Sequence, residues 1–563
     1  MPASQARIPT GRAERYLNQL CAHISKLSRT DLTGAAPLRH GHGEGSADSM
    51  PRRVESSGPG GVIDFGWGRC TLRADGENLV LHAEADDQQG LQRIQDAIAQ
   101  RLERIGRHDG LTVTWRPTPP EAGTAAPADD PKSAAAIIEA LTAPAGRADP
   151  YPLYAAAHRI GPVLAVAADT FLVCGYAAVN QVLRNPGFGL PDTAPNHPED
   201  AADQAGADAL RSMSRSILRT NPPDHSRMRS LISQVFTPRR VASLQPSVVD
   251  AVDTLLDRLA ESAADGRTVD FMDQFAFQLP VTVICELLGV PPADRHRFRR
   301  LASDLTTALE LSGGATRPEG PADAAARELA GYFTHLIGER RNAPGNDLVS
   351  ALVAARDADD GRLSDEELLA NLILLLVAGF ETTTDLLGNG LAILLDRPDL
   401  AAALRSGQIA TAGFVEEVLR YDSPVQVTTR VARADALDVE GIRIPTGSNV
   451  ILLLGAANRD AARYPHPDSF DPTRTGNKPV SFGAGPHICI GNSLARLEAS
   501  IAFPRLLDRF PALSADPAHK PTRRDRLVLR GYQTLPVGVG TSHAHSHHPG
   551  TPHRRSRPDP ADE

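Results

Sequence analysis

The stretch Phe482-Gly-Ala-Gly-Pro-His-Ile-Cys-Ile-Gly491 sets one cysteine, Cys489, in a loop punctuated by glycines. A helix-like segment, Asn492-Ser-Leu-Ala-Arg-Leu-Glu498, follows at once. Gly483 and Gly485 permit positive φ and a tight backbone approach to a flat ring. A helix start behind Cys489 offers unpaired N–H groups and the positive end of a dipole, which favour thiolate over thiol. Gly491 leaves the ring face uncrowded, and His487 can reach a propionate at the ring edge. These are the requirements of a thiolate ligand to haem iron. A buried cysteine in a glycine-rich turn would explain Cys489 alone but not the string.

The whole string, from Phe482 and Gly483 to Gly491, resembles the cysteine-loop signature of the cytochrome P450 haem-thiolate monooxygenases at every defining position. The resemblance implies a mainly α fold with a large helical part and a small β-rich part. It implies haem b (iron protoporphyrin IX) with the Cys489 thiolate as axial metal ligand and with Phe482, Gly483, His487 and Gly491 against the cofactor.

Three further segments join it. Ala378-Gly-Phe-Glu-Thr-Thr383 sits inside a long apolar stretch. Ser364 with Glu367 three residues on reads as a capping box, predicting a helix that runs to about residue 395, roughly 45–50 Å. Gly379 weakens that helix, and a threonine hydroxyl can bond back to the preceding turn and open it. The resemblance implies the long distal helix over haem, with Thr382 beside the dioxygen pocket and Glu381 in the proton-delivery relay. An acid–alcohol pair has a chemical purpose there, because protonation allows the O–O bond to break.

Glu417-Val-Leu-Arg420 places an acid and a base on one helix face. Phe470-Asp-Pro-Thr-Arg474 follows. In the family the matching Glu, Arg and downstream Arg form a buried ion cluster behind the cysteine loop, so Glu417, Arg420 and Arg474 are expected to be structural. In Pro222-Pro-Asp-His225-Ser-Arg-Met-Arg229, His225 and Arg229 lie four apart on one helical face after a proline turn. Two cations at that spacing suit an anionic propionate. Arg430, in Val427-Thr-Thr-Arg430, matches the family's third propionate position.

The chain has 563 residues and a net charge of −9, so a nucleic-acid role has no support from bulk charge. Only Lys26, Lys132, Lys478 and Lys520 are lysines among 59 basic residues, a pattern of GC-rich coding. Five scattered cysteines read as reduced thiols rather than a disulfide framework. The N-terminus shows no charged-then-apolar signal pattern, and the apolar run at residues 372–380 is too short to span a bilayer. A cytoplasmic enzyme without a membrane anchor is expected. With no flavin-binding extension it must receive electrons from separate proteins, in bacterial members of the family usually a ferredoxin and a ferredoxin reductase. Arg496 and Lys478 are candidate docking charges for them.

Residues 1–116 read as a small α+β domain in the order helix, strand, strand, helix, strand. Leu17, Leu20, Ile24 and Leu27 recur at helical spacing, as do Leu91, Ile94, Ile98, Leu102 and Ile105. Between them, residues 68–84 read as two strands about an Asp75-Gly76 turn. Leu111-Thr-Val-Thr-Trp115 reads as the last strand, and residues 35–61 as a long loop. The domain resembles an uncharacterised family of small bacterial α+β domains sometimes found beside siderophore-handling proteins. Ala6-Arg7, Tyr16 to His23, Gly68-Arg-Cys70 and Leu111 to Trp115 carry that likeness. His23 and Cys21 point to different helix faces and read as surface and core. Residues 117–132 read as an Ala/Pro-rich linker, 133–540 as the haem domain, and 541–563 as a His-rich disordered tail.

The family chemistry inserts one oxygen atom from O2 into a C–H bond. Candidate pocket residues are Leu375, Ala378, Thr382, Val425 and Val427, an apolar set that suits a small, largely hydrophobic organic substrate. The polar stretch between residues 188 and 218 occupies the place of a mobile pocket-covering loop. A peroxygenase using hydrogen peroxide is one alternative, against which the Glu381-Thr382 pair weighs. A non-catalytic haem sensor or scaffold is the other.

Overall fold

The computed structural model describes residues 3–30, 53–57, 60–65, 68–75, 78–85, 88–109, 111–117, 132–191, 207–307, 320–357 and 363–540. The chain divides into two compact units, Met1–Asp129 and Asp130–Glu563. The expected linker (apart from its end residues 117 and 132), the His-rich tail, the Gly76 turn residue and much of the 188–218 loop lie outside the described residues.

The first unit is a six-stranded sheet with two helices. Its elements are β1 (Ala3–Pro9), α1 (Ala13–Thr30), β2 (Arg53–Ser57), β3 (Gly60–Asp64), β4 (Gly68–Asp75), β5 (Asn78–Ala85), α2 (Gln88–Ile105) and β6 (Arg116–Pro117). The strand order is β2-β3-β4-β5-β1-β6. Along β5, alternate residues Leu79, Leu81, Ala83 and Ala85 are fully buried, the period-2 pattern of a sheet with one face on a core. Both helices pack on that sheet, where Leu17, Leu20, Ile24, Ile94, Ile98 and Leu102 join one hydrophobic cluster.

The observed order corrects the sequence expectation at three strands. β1 comes first, and β2 and the start of β3 fall in the stretch read as a loop. β1 buries Ser4, Ala6 and Ile8, of which Ser4 and Ala6 are too small or polar to announce a strand. β2, Arg-Val-Glu-Ser-Ser, is an edge strand with one apolar residue. The final strand is Arg116–Pro117, paired with Ser4 and Gln5, rather than residues 111–115. Leu111 still packs into the core, and the Trp115 indole donates to the Gln95 carbonyl at 3.2 Å. Cys21 is buried and His23 is exposed.

The second unit is mainly helical. Elements used below are β7 (Val163–Ala167), β8 (Thr170–Val173), α3 (Tyr176–Arg184), β9 (Phe188–Gly189), α4 (Asp224–Val235), α5 (Gln278–Leu288), α6 (Arg295–Thr306) and α7 (Asp365–Asp396). They continue with α8 (Thr411–Tyr421), β10 (Val427–Ala432), β11 (Asn449–Leu453), α9 (Asn492–Arg509), β12 (Thr522–Arg523) and β13 (Tyr532–Thr534). The larger sheet runs β7-β8-β11-β10-β9, with β8 and β11 parallel.

α7 is the spine of this unit. Its 32 residues span about 48 Å. Ser364 Oγ accepts from the Glu367 N–H at 3.1 Å, and the Glu367 carboxylate accepts from the Ser364 N–H at 2.8 Å, so the capping box is complete. By length and composition α7 alone among the described residues could cross a membrane, yet it is mostly buried inside the protein, packed against α5, α6 and α9. Gly379 does not interrupt it. Thr382 and Thr384 bond back to the Ala378 and Phe380 carbonyls at 2.9 and 3.0 Å, and the helix continues.

Candidate active site

The cysteine loop folds as two short 3-10 turns ahead of α9, with Gly491 as the N-cap residue. Gly483 and Gly485 have φ of 68° and 69°, a region that only glycine enters cheaply. Gly485 needs its bareness for another reason too: a Cβ there would overlap the Leu183 carbonyl at the end of α3. Beside Gly483 the space is open, with the His487 carbonyl 3.9 Å from the position of a Cβ. The Cys489 N–H donates to the Phe482 carbonyl at 2.9 Å, and Asn492 Nδ2 donates to the Cys489 carbonyl at 2.6 Å, fixing the loop.

Cys489 opens onto a cavity of about 300 Å³. Leu374, Leu375, Ala378 and Thr382 of α7 form one wall, with Pro424, Val425, Thr428 and Arg430 beside them. Phe482, Gly483, His487 and Ile488 form the wall around the cysteine. Burial pushes the Cys489 thiol above its ordinary value, opposed by the Gly491 N–H and by the Arg229 and Arg496 charges. Coordination to a metal ion would deprotonate this thiol outright.

Beside the cysteine loop lies a cluster of basic groups. The His225 and His487 rings sit 3.9 Å apart, centre to centre. Both nitrogens of His225 are buried without a partner. Burial and then the neighbouring Arg229 and Arg430 push His225 down to about 4. Burial and His225 push His487 down to about 3, and burial pushes Arg430 down to about 10. Arg430 spends its guanidinium on the Thr429 carbonyl at 2.7 Å and the Thr428 hydroxyl at 3.4 Å. Two orphaned ring nitrogens among cations fit an anionic group, and the donor set matches a pair of carboxylates at the edge of haem.

The ion cluster lies behind the loop. Arg420 donates through Nε and Nη2 to both Glu417 oxygens, at 2.8 and 2.7 Å, with both side chains fully buried. Arg474 Nε reaches Glu417 at 3.4 Å, and the Asp471 N–H and Asn477 Nδ2 complete the carboxylate at 2.8 and 2.9 Å. Arg420 also donates to the carbonyls of Asn458, Pro467 and Ser469. This fastens α8 to the chain that leads into the cysteine loop.

Two expected residues take other places. Val427 is buried in a core beside Tyr154 and Leu164, not in the cavity wall. Successive residues of a strand face opposite sides, so Thr428 and Arg430 of β10 face the cavity and Val427 does not. Glu381 faces away from the cavity, 1% exposed. Arg524 and Arg526 both donate to its Oε1, Arg526 at 2.6 Å. Arg496 is paired with Glu416 and stacked over Phe482, and Lys478 is exposed.

Sequence reasoning did not single out Leu190, Ile217, Leu218, Leu374, Pro424 or Thr428, which also line the cavity. Alternation along Val427-Thr-Thr-Arg430 was the available signal for Thr428. Nor did it find Arg524 and Arg526, which stand more than 140 residues from Glu381 in sequence and carry no local pattern.

A family model described as Cytochrome P450 matches residues 322–408 and 410–534. One described as Uncharacterized protein conserved in bacteria (DUF2218) matches residues 5–116. Cytochrome P450 monooxygenase PikC of Streptomyces venezuelae is 40% identical over 397 residues, 69% of this chain and 91% of the relative. Vitamin D(3) 25-hydroxylase of Pseudonocardia autotrophica is 39% identical over 399 residues, 70% of this chain and 94% of the relative. Among solved structures, P450BioI in complex with hexadec-9Z-enoic acid ligated acyl carrier protein superposes with a TM-score of 0.63 at 34% identity, covering 70% of this chain and 99% of that one.

Proposed function

The chain belongs to the cytochrome P450 family and is a haem-thiolate monooxygenase, and on that premise we propose how its own residues divide the work. Cys489 would hold the iron of haem b through its thiolate. His225, Arg229, Arg430 and His487 hold the propionates, with Phe482, Gly483 and Gly491 shaping the loop against the ring. The observation that carries this assignment is the basic cluster, with both His225 ring nitrogens unpartnered, set beside the one cysteine that opens onto the cavity.

Bound haem supplies the activation of dioxygen. The protein's part is to hold substrate, exclude water and deliver protons. The Thr382 hydroxyl, seated at the cavity wall, hands on a proton; Glu381 behind it is the acid that resupplies it. Glu417, Arg420 and Arg474 brace the loop.

The cavity wall of Leu375, Ala378, Val425 and their leucine neighbours selects a small, largely hydrophobic organic substrate. Carrier-tethered acyl chains belong among the classes to try, given the acyl carrier protein complex of the P450BioI relative. A ferredoxin and its reductase, as separate proteins, are the electron donors proposed for this chain. Five unpaired cysteines suit the reducing cytoplasm. Residues 1–116 act as a separate domain joined through residues 117–132 to the haem domain at 133–540, with 541–563 as a tail.

The test is a screen of apolar metabolites and carrier-tethered acyl groups for a saturable low-to-high-spin shift of the haem. A ligand that gives the shift is expected to accelerate reductant oxidation and to leave as a product carrying one atom from labelled dioxygen. A shifting ligand that never gains oxygen would contradict the substrate assignment.

A further inference from the structure

A second buried acid lies one turn beyond Glu381 on α7. Asp385 is fully buried, and neither of its carboxyl oxygens has a hydrogen-bond partner. It is packed against the backbone of the C-terminal arm, the β12–β13 segment of residues 522–534, where a Cβ on Gly531 would overlap its carboxyl group. The arm could not approach α7 so closely with any side chain at 531.

Leaving a carboxyl unpaired in such a place is costly, and more so if it is charged. The nearest cation is Arg524, whose Nη1 stands 3.7 Å from Asp385 Oδ1, too far for a hydrogen bond. The same Nη1 is bonded to Glu381 Oε1. Glu381 Oε2 has no partner either. One guanidinium therefore stands between two acids four residues apart on one helix face. Arg526 holds Glu381 from a second side at 2.6 Å and also donates to the Thr306 hydroxyl of α6 at 3.1 Å.

We propose that Asp385 is a positioning residue for Glu381: its charge decides whether Arg524 stays on Glu381 or is shared, and so how readily Glu381 leaves its clamp to serve the cavity. The proposal rests on the reading of Glu381 as the acid that resupplies Thr382. With Asp385 neutral, Glu381 carries both guanidinium contacts. When Asp385 gives its proton to solvent, Arg524 gains a second anion within side-chain reach, and Glu381 keeps full hold of Arg526 alone.

The charged groups that act on Asp385 are Arg524, Arg526 and Arg523 from the arm and Glu381 from its own helix. The neighbouring turn Met272–Ala276 meets α7 through apolar Met272 at Gly388, and Phe277 lies under the Arg524 guanidinium at 5.0 Å. Burial, with Glu381 adding to it, lifts the Asp385 carboxyl to about 7, against the pull of the three arginines.

The test uses full-length, haem-loaded protein. Infrared difference spectra over a pH series are expected to show a protonated carboxyl band that disappears near pH 7, is absent from D385N and persists in E381Q. NADPH oxidation through a plant-type ferredoxin and its reductase is expected to rise in wild type as pH passes through that midpoint. D385N, fixed in the clamped state, is expected to be slow and to lose the step. R524Q, which removes the shared group, is the second variant and is expected to be fast and also without the step. A slow E381Q together with a D385N that keeps the wild-type step, or its carboxyl band, would overturn the proposal alone. An E381Q variant that turns over like wild type would overturn the assignment of Glu381, and the proposal with it.

Discussion

Glu381 and Thr382 are neighbours on α7 that meet different surroundings. Thr382 stands at the cavity wall with its hydroxyl on the Ala378 carbonyl at 2.9 Å, while Glu381 is buried behind it between Arg524 and Arg526. In this arrangement the Glu381 carboxylate is spent on the two arginines and the Thr382 hydroxyl on its own helix, so proton transfer between them calls for Glu381 to move or for water to bridge them. Thr382→Ala removes the group at the cavity and is expected to divert reductant into hydrogen peroxide. Glu381→Gln is expected to slow turnover with a smaller rise in peroxide. Peroxide released per reductant consumed, measured for both variants, separates the two roles.

The basic cluster predicts which side chains retain the cofactor. Arg430→Leu removes a charged hydrogen-bond donor worth about 1.5–3 kcal/mol, or about ten- to a hundredfold in affinity. Haem transfer to apomyoglobin is expected to be faster by that order. The Arg430→Lys variant is expected to recover part of the loss through charge alone.

The ion cluster is a matter of stability. Glu417→Ala strands the buried Arg420 guanidinium and is expected to cost about 3–5 kcal/mol. Denaturant unfolding followed by the haem band and by far-ultraviolet circular dichroism measures this cost.

Val425 and Val427 make a paired prediction. Val425→Ala enlarges the cavity and is expected to change the spin-state response to apolar ligands with little loss of stability. Val427→Ala opens a hole in the core beside Tyr154 and is expected to cost about 2 kcal/mol while leaving ligand spectra alone. Ligand titrations and unfolding curves on the two variants decide it.

Glu498 of α9 is buried, and its Oε2 has no hydrogen-bond partner. Burial raises its carboxyl well above the ordinary value. The folded state therefore holds a proton that the unfolded chain releases, so stability is greatest below the unfolded pKa and falls as pH rises above it. Glu498→Gln is expected to flatten that fall, visible as a smaller drop in Tm between acid and neutral pH.

Much of the site was legible because its parts are local in sequence. The cysteine loop, the capping box at Ser364 and the Glu417–Arg420 pair each declare themselves within ten residues. The long helix was readable from its start because one side-chain cap and a continuous apolar run define it. What stayed hidden was long-range. The partners of Glu381 come from residues 524 and 526, and no spacing rule connects them. Val427 misled because its apolar character fits a cavity wall and a core equally well, and only the register of β10 separates them. In the first unit, Ser4 and Ala6 bury so little apolar surface that β1 leaves a weak trace.

The most direct measurement is the absorption spectrum of the reduced, carbon monoxide-treated protein, compared between wild type and Cys489→Ser. A thiolate-ligated haem gives the strongly red-shifted Soret band in wild type, and Cys489→Ser is expected to lose it while the basic cluster still binds some haem. A red-shifted band that survives in Cys489→Ser, or a wild-type protein that binds haem without it, would contradict Cys489 as the axial ligand.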